Sequence, residues 1–261
     1  MLSAAHARAG RRACRVAVLA DVHGNATALE AVLEDAEREA TELLVHCGDL
    51  TWGPQPLETI ELLEAWPAEV VCVRGNADRS VVELTAQLAV QPDAEVTSRE
   101  AWMVRAHHGR LHDLVAAFAS QVTVDVEGVG RVLFCHGSPR SDEELFTVAT
   151  PESRLREALD GVDADVVVTA HTHVRYERES LGRRLLNAGS VGMPYEGAPG
   201  AYWALLGPGV EFRRSDYDLA TAAARYRATS DPLAEEMVET LVSPPTAAEV
   251  IEYAERLAFS G

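Results

Sequence analysis

Short apolar runs recur along the chain at 15–20 (RVAVLA), 43–47 (LLVHC), 69–73 (EVVCV), 131–135 (RVLFC) and 165–170 (DVVVTA). Runs this continuous, with no polar alternation, suit strands buried on both faces. Helical spacing appears between them. Residues 26–39 set Ala28, Leu29, Val32, Leu33 and Ala36 on one face, and residues 57–66 do the same with Leu57, Ile60, Leu62 and Leu63 before Pro67 stops the segment. A longer helix is expected over about 98–119, carrying Trp102, Leu111, Leu114, Val115 and Phe118, and another over 152–160 after Pro151. Residues 121–127 and 131–135 read as a hairpin turned by Gly128 and Gly130, and 183–187, 201–206 and 209–214 read as further strands. The alternation predicts an α/β protein. Its expected organisation is a basic tail at 1–13, one large domain at 14–218, and a helical appendix at 219–261 packed on that domain, with 77–100, 139–150 and 192–200 as loops.

Charge narrows the function. The 261 residues carry 41 Asp and Glu against 23 Lys and Arg, a net charge of −18, which repels polyanions and excludes a duplex nucleic-acid partner. At 47% hydrophobic and 25% charged residues, the chain can bury a full core. The run Val16–Ala20 is too short for a membrane span or an export signal, despite the preceding Arg11 and Arg12. Cys14, Cys47, Cys72 and Cys135 form no CxxC pair and sit mostly in apolar runs, so buried free thiols and a cytoplasmic location are expected. The segment from 216 onward holds nine acidic against three basic residues and reads as a solvated helical face.

The chemistry sits where the apolar runs end. They lead into Asp21 and His23, Asp49, Asn76, His136, and His171 with His173. Ligands bind at the carboxyl ends of parallel strands in α/β sheets, so side chains just past five strand ends can share one crevice. Two carboxylates, one amide and four imidazoles form a hard to borderline donor set suited to Mn, Fe, Zn or Ni. Seven donors exceed one ion. Two ions about 3.5–4 Å apart, with Asp49 as the candidate bridge, are the usual means of hydrolysing phosphate esters. Gly24, Gly48 and Gly75 adjoin these residues, and Asn25 stands at a helix start, where it caps the helix or helps hold an anion.

In sum the motifs Asp21-Val22-His23-Gly24-Asn25, Gly48-Asp49, Gly75-Asn76, His136-Gly137 and His171-Thr172-His173 resemble those of the calcineurin-like metallophosphoesterases. His136-Gly137-Ser138-Pro139 and Asn187-Ala188-Gly189-Ser190-Val191-Gly192 are similar to the small bacterial and archaeal branch that includes YfcE-like phosphodiesterases. The resemblance spans roughly residues 15 to 218. It implies a four-layer α/β/β/α sandwich of two mixed β-sheets flanked by helices, with a two-metal site at its top. By motif position, one ion takes Asp21, His23, Asp49 and His173, and the other Asp49, Asn76, His136 and His171. A bridging hydroxide then attacks phosphorus, with Asp49, Asn76 and His136 in the catalytic machinery.

One position departs from the family. Many members carry His after Gly-Asn, and this chain has Ala77, followed by Asp78. Weaker protonation of the leaving group favours diesters and anhydrides over alkyl monoesters. The expected activity is therefore hydrolysis of small phosphodiesters or nucleotide-type substrates. A phosphomonoesterase or protein phosphatase, and a non-catalytic metal-binding regulator of the same fold, are the alternatives. A homo-oligomer is left open. Arg74, Arg79, Arg140 and Arg175 neighbour the motifs; Arg79 and Arg140 are candidate phosphate clamps or plain charge partners. His107, His108 and His112 read as surface residues, His46 as a packed histidine, and Tyr195, Phe146 and Trp203 as aromatics that stack a base or pack, with packing favoured for Trp203.

Overall fold

The computed structural model describes residues 10–258. In chain order the elements are β1 (Arg12–Ala13), β2 (Val16–Leu19), α1 (Ala26–Arg38), β3 (Leu43–His46), α2 (Pro56–Ala65), β4 (Glu69–Cys72) and α3 (Asn76–Val90). There follow α4 (Ser98–Ala106), α5 (Arg110–Ala116), β5 (Gln121–Val126), β6 (Gly130–Cys135), α6 (Glu152–Ala158), β7 (Val166–Thr169) and β8 (Tyr176–Ser180). The chain closes with β9 (Arg183–Asn187), β10 (Ala201–Leu206), β11 (Val210–Ser215), α7 (Leu219–Arg227), α8 (Ala234–Val242) and α9 (Ala247–Ala258).

Two mixed sheets result, one ordered β11-β10-β2-β3-β4 and the other β1-β5-β6-β7-β9-β8. Side chains alternate across each strand, so β2 sends Val16 and Val18 into the space between the sheets and Ala17 and Leu19 toward the helices. Between the sheets, Val45, Val71 and Val73 meet Val124, Val132, Phe134 and Val168. Outside the first sheet lie α1 to α5, and outside the second α6 brings Leu155 and Ala158 onto Leu133, Val167 and Leu185. This is the four-layer sandwich. Strands buried on both faces explain the uninterrupted apolar runs, and trimming Phe134 to Ala at the centre would cost about 3–5 kcal/mol.

The segment at the chain end braces two loops and α4. Tyr226, Met237, Val238 and Leu241 form a small core that Met193 and Tyr217 join. Gly197 donates its N–H to the Pro245 carbonyl at 2.9 Å. The Glu255 carboxylate accepts from Thr147 Oγ1 at 2.5 Å and Thr150 Oγ1 at 2.8 Å. Asp231 pairs with the buried Arg99 at 3.0 Å.

Four expectations change. The helix expected over 98–119 is two, because His107 caps α4 and Gly109 turns the chain at φ +60°. The stretch 77–100 is mostly helix: α3 buries only Asp78 and Val81, too little for a visible apolar stripe. Arg12 and Ala13, within the expected tail, pair in parallel with Asp125 and Val126, while residues 1–9 lie outside the described residues. Cys14 is exposed, whereas Cys47, Cys72 and Cys135 are buried free thiols.

Candidate metal centre

The carboxyl ends of β2, β3, β6 and β7 and the start of α3 deliver all seven sequence-predicted residues to one crevice. Two compact groups stand out, Asp21 with His23 and His173, and Asp49 with His136 and His171; within each, the ligand-type atoms lie within 4.8 Å of one another. Asp49 lies between them, with Oδ2 3.7 Å from His23 Nε2 and 3.5 Å from His136 Nε2. Asn76 joins the second group through Oδ1, 2.9 Å from His136 Nε2.

Backbone geometry aims these side chains. Asp21, His23, Asp49, His171 and His173 have φ of 51°, 47°, 58°, 67° and 57°, a region that costs L-residues about 1–2 kcal/mol each. Strain on this scale persists only where the surroundings fix it. Gly75 is part of that fixing, since a Cβ there would lie 2.1 Å from Asp49 Oδ1. Asp78, fully buried, accepts from the backbone N–H groups of Asp49 (2.9 Å), Leu50 (3.2 Å) and Gly75 (3.0 Å). Asp49 Oδ1 in return accepts from Ala77 N–H at 2.9 Å. Each carboxylate pins the other's loop. Burial, and then the Asp49 charge, push the Asp78 carboxyl up to about 7.

The imidazoles carry the decisive observation. The Nδ1 of His23, His173 and His136 lie 3.1, 2.7 and 2.8 Å from the carbonyls of Trp52, Met193 and Cys47. A carbonyl only accepts, so each Nδ1 bears a proton, and on a neutral ring that leaves Nε2 as a bare lone pair. Those lone pairs meet acceptors. His23 Nε2 faces His173 Nε2 at 3.2 Å, and His173 Nε2 is 3.4 Å from Asp21 Oδ1, a buried oxygen with no hydrogen-bond partner. Converging acceptors in a buried site need a cation. Burial lowers His23, and it lowers His171 to about 4 with help from the His136 charge. For Asp49, burial pushes upward, but His136 and His23 outweigh it and hold the carboxyl well below the ordinary range. Burial likewise opposes a proton on His136, yet Asp49 and Asp21 raise it; a proton there stands in for an ion. The residues therefore fit divalent metals.

The residues expected to touch substrate are differently placed. Asn25 is the α1 cap: Oδ1 accepts from Ala28 N–H at 3.0 Å and Nδ2 donates to the Gly192 carbonyl and the Tyr217 hydroxyl. Arg79 is held by Asp142, Glu143 and Glu83, and Arg140 by Glu144, which makes both charge partners. Arg175 pairs with Glu196 over the Tyr202 ring. Phe146 and Trp203 are buried in the core, and Tyr195 stays at the crevice. His107, expected on the surface, is buried, its ring held by the Met103 carbonyl and by Thr51 Oγ1 at 2.7 Å. His46 is buried as expected. Sequence reasoning passed over Asp78 and the His107–Thr51 contact; an acid three residues past the Gly75 cap was the available signal for the first.

A two-sheet sandwich with a strand-end crevice of imidazoles and carboxylates defines an α/β protein with a candidate metal centre. The chain matches the model of the calcineurin-like phosphoesterase superfamily domain over residues 14–206, and it belongs to that family. A probable metallophosphoesterase of Methanothermobacter thermautotrophicus is 28% identical over 181 residues, 69% of this chain and 78% of that protein. The fold is similar to a metallophosphoesterase from Sphaerobacter thermophilus, at 24% identity, TM-score 0.69, 89% of this chain and 99% of that one. It is likewise similar to a hypothetical protein of Pyrococcus horikoshii, at 21% identity, TM-score 0.75 and the same coverages. Family membership supports a phosphoesterase-class hydrolase, and the two Asp/His groups are its candidate metal sites. No helix among the described residues is long and apolar enough to cross a membrane.

Proposed function

We propose that the protein is a dinuclear-metal phosphodiesterase acting on small diesters or nucleotide-type substrates. The observation that carries this reading is the set of three histidines pinned at Nδ1, with Nε2 lone pairs converging on Asp21 and Asp49. Asp21, His23, Asp49 and His173 would hold one ion, and Asp49, Asn76, His136 and His171 the other. Two such ions supply Lewis acidity to the phosphoryl oxygens and a nucleophilic water at neutral pH. The Asn76 amide would meet the charge that grows on the phosphoryl group, and Asp78, through the Asp49 N–H, supports the position of Asp49.

Two features favour diesters. Ala77 offers no proton donor beside Asn76. Arg79 and Arg140, the candidate phosphate clamps, are paired with Asp142, Glu143 and Glu144, which weakens their pull on a dianionic monoester. The buried free thiols suit a reducing, cytoplasmic compartment.

The test compares bis-p-nitrophenyl phosphate with p-nitrophenyl phosphate, using chelator-stripped protein with Mn, Fe(II), Zn, Ni or Mg restored. Metal-dependent turnover that favours the diester is expected. Comparable monoester turnover would make it a phosphatase, and no turnover with two ions bound would make it a metal-binding regulator.

A further inference from the structure

The carbonyls that hold the three Nδ1 atoms are anchored differently. The Cys47 carbonyl behind His136 follows β3 directly, with the Cys47 side chain in the core between the sheets. The Trp52 carbonyl behind His23 belongs instead to the connection between β3 and α2. That connection lies along the loop after β2: His23 N–H donates to the Asp49 carbonyl at 2.9 Å, Gly24 N–H to the Leu50 carbonyl at 3.0 Å, and Gln55 N–H to the Gly24 carbonyl at 3.2 Å. The approach is close, since a Cβ on Gly53 would lie 1.6 Å from the His23 carbonyl oxygen. His23 and Asp49 both have left-handed backbone, which persists only where its surroundings hold it.

Leu50 roots this connection in the apolar core, and Thr51 gives it a polar anchor. Thr51 is fully buried, with Oγ1 2.7 Å from Nε2 of His107 at the end of α4. His107 Nδ1 lies 2.8 Å from the Met103 carbonyl, so Nδ1 donates, and Nε2 of the ring, which burial keeps neutral, accepts the Thr51 O–H. The α4 helix is itself tied down. Trp102 Nε1 donates to Ser230 Oγ at 2.9 Å, and Arg99 pairs with Asp231 at 3.0 Å, both on the α7–α8 turn. Helix and hydrogen bonds thus run unbroken from that turn through α4, His107 and Thr51 to the carbonyl behind His23.

We propose that Thr51 and His107 are positioning residues for the metal centre: their hydrogen bond fixes the Trp52 carbonyl, and through it the His23 ring, from outside the donor groups. The inference rests on reading Asp21, His23 and His173 as a metal site. Loss of the bond falls on His23, because Asp78 supports Asp49 and the Cys47 carbonyl holds His136 independently.

The experiment uses full-length, zinc-loaded protein with isotope-labelled histidine, as wild type, Thr51→Val and Thr51→Ser. Val keeps the shape of Thr without its hydroxyl, and Ser keeps the hydroxyl. In Thr51→Val the His23 Nδ1–H, followed by NMR, should exchange with water about 10-fold faster, while those of His136 and His173 stay unchanged. Calorimetry should show one of two zinc-binding steps weakened about 10-fold, the lower end for a lost ligand support, and the other within about twofold. Thr51→Ser should restore both signatures. The double variant Thr51→Val with His107→Leu leaves no lone pair unmet, and gives the same reading if Val alone does not fold. An unchanged His23 signal, or unchanged zinc binding, would overturn the proposal and leave the bond as core packing. Equal weakening of both steps without rescue by Ser would overturn it as well, as a general loosening. A wild-type chain whose His23 ring is held but which takes up no zinc would sink the metal reading, and the inference with it.

Discussion

The two ends of the same strands make opposite use of similar residues. At the amino ends, a groove of about 640 Å³ is lined by Arg12, Cys14, Glu42, Asp125, Glu127 and Arg131. There three carboxylates have donors: Glu42 takes the Cys14 N–H at 2.9 Å, Glu127 the Cys14 thiol at 3.1 Å, and Asp165 the Arg131 N–H at 2.8 Å. The Glu127 hydrogen bond, followed by the Glu42 charge, pushes the Cys14 thiol up to about 11, which makes it inert. At the carboxyl ends the acceptors face one another, on backbone bent into the left-handed region. The lesson concerns where chemistry is stored. Volume and charge mark the first end, and unmet lone pairs mark the second.

Breaking this contrast at its strongest point means Asp49→Asn, which removes the charge shared by both groups. Turnover should fall by more than the about 10³-fold that losing one preorganised donor costs, with both ions bound more weakly by calorimetry. Asp78→Asn leaves every ligand in place but puts an amide against three backbone N–H groups. Manganese affinity should drop about 10–100-fold, the usual effect of disturbing a ligand's support. Acid sharpens the comparison through His107. Burial, opposed by the Met103 carbonyl, lowers its pKa from 6.5 to about 4, so the fold holds it neutral while the unfolded chain takes up a proton. Its share of stability, up to about 3 kcal/mol, is therefore intact above pH 6.5, is lost as pH falls toward 4, and stays lost below that. Thermal melts of His107→Gln should show a shallower decline of Tm across that window than wild type. At the quiet end, Cys14→Ser should change stability by less than about 0.5 kcal/mol and leave turnover unaltered, as a surface change does. A rate loss there would erase the contrast.

Much of the crevice was legible because strand burial and ligand position are written in the same short words. An apolar run followed by Asp or His states both the strand and its end, so all seven residues could be picked from the chain alone. The supports were harder to see. Asp78 acts through backbone N–H groups of residues 49 and 50, which carry no side-chain signature. The α3 helix has one buried apolar residue, Val81, and so lacks a 3.6-residue stripe. His107 reads as a solvated member of a histidine cluster until the turn at Gly109 directs it onto Thr51. Arg79 and Arg140 were ambiguous for a related reason: their carboxylate partners come from a loop whose path no periodicity specifies.

The brace formed by the chain-end helices ties the loops around the crevice to residues far along the chain. Pro245 holds the loop carrying Tyr195 through Gly197, and Glu255 holds the segment following His136 through Thr147 and Thr150. None of these contacts involves a member of the two donor groups. Met193 packs into the same small core while its carbonyl holds His173 Nδ1 at 2.7 Å, so the brace also reaches one histidine of the crevice. The chain-end helices are thus a tuning dial for the crevice: a substitution in α8 that shifts Met193 would be felt at His173 from outside the donor groups.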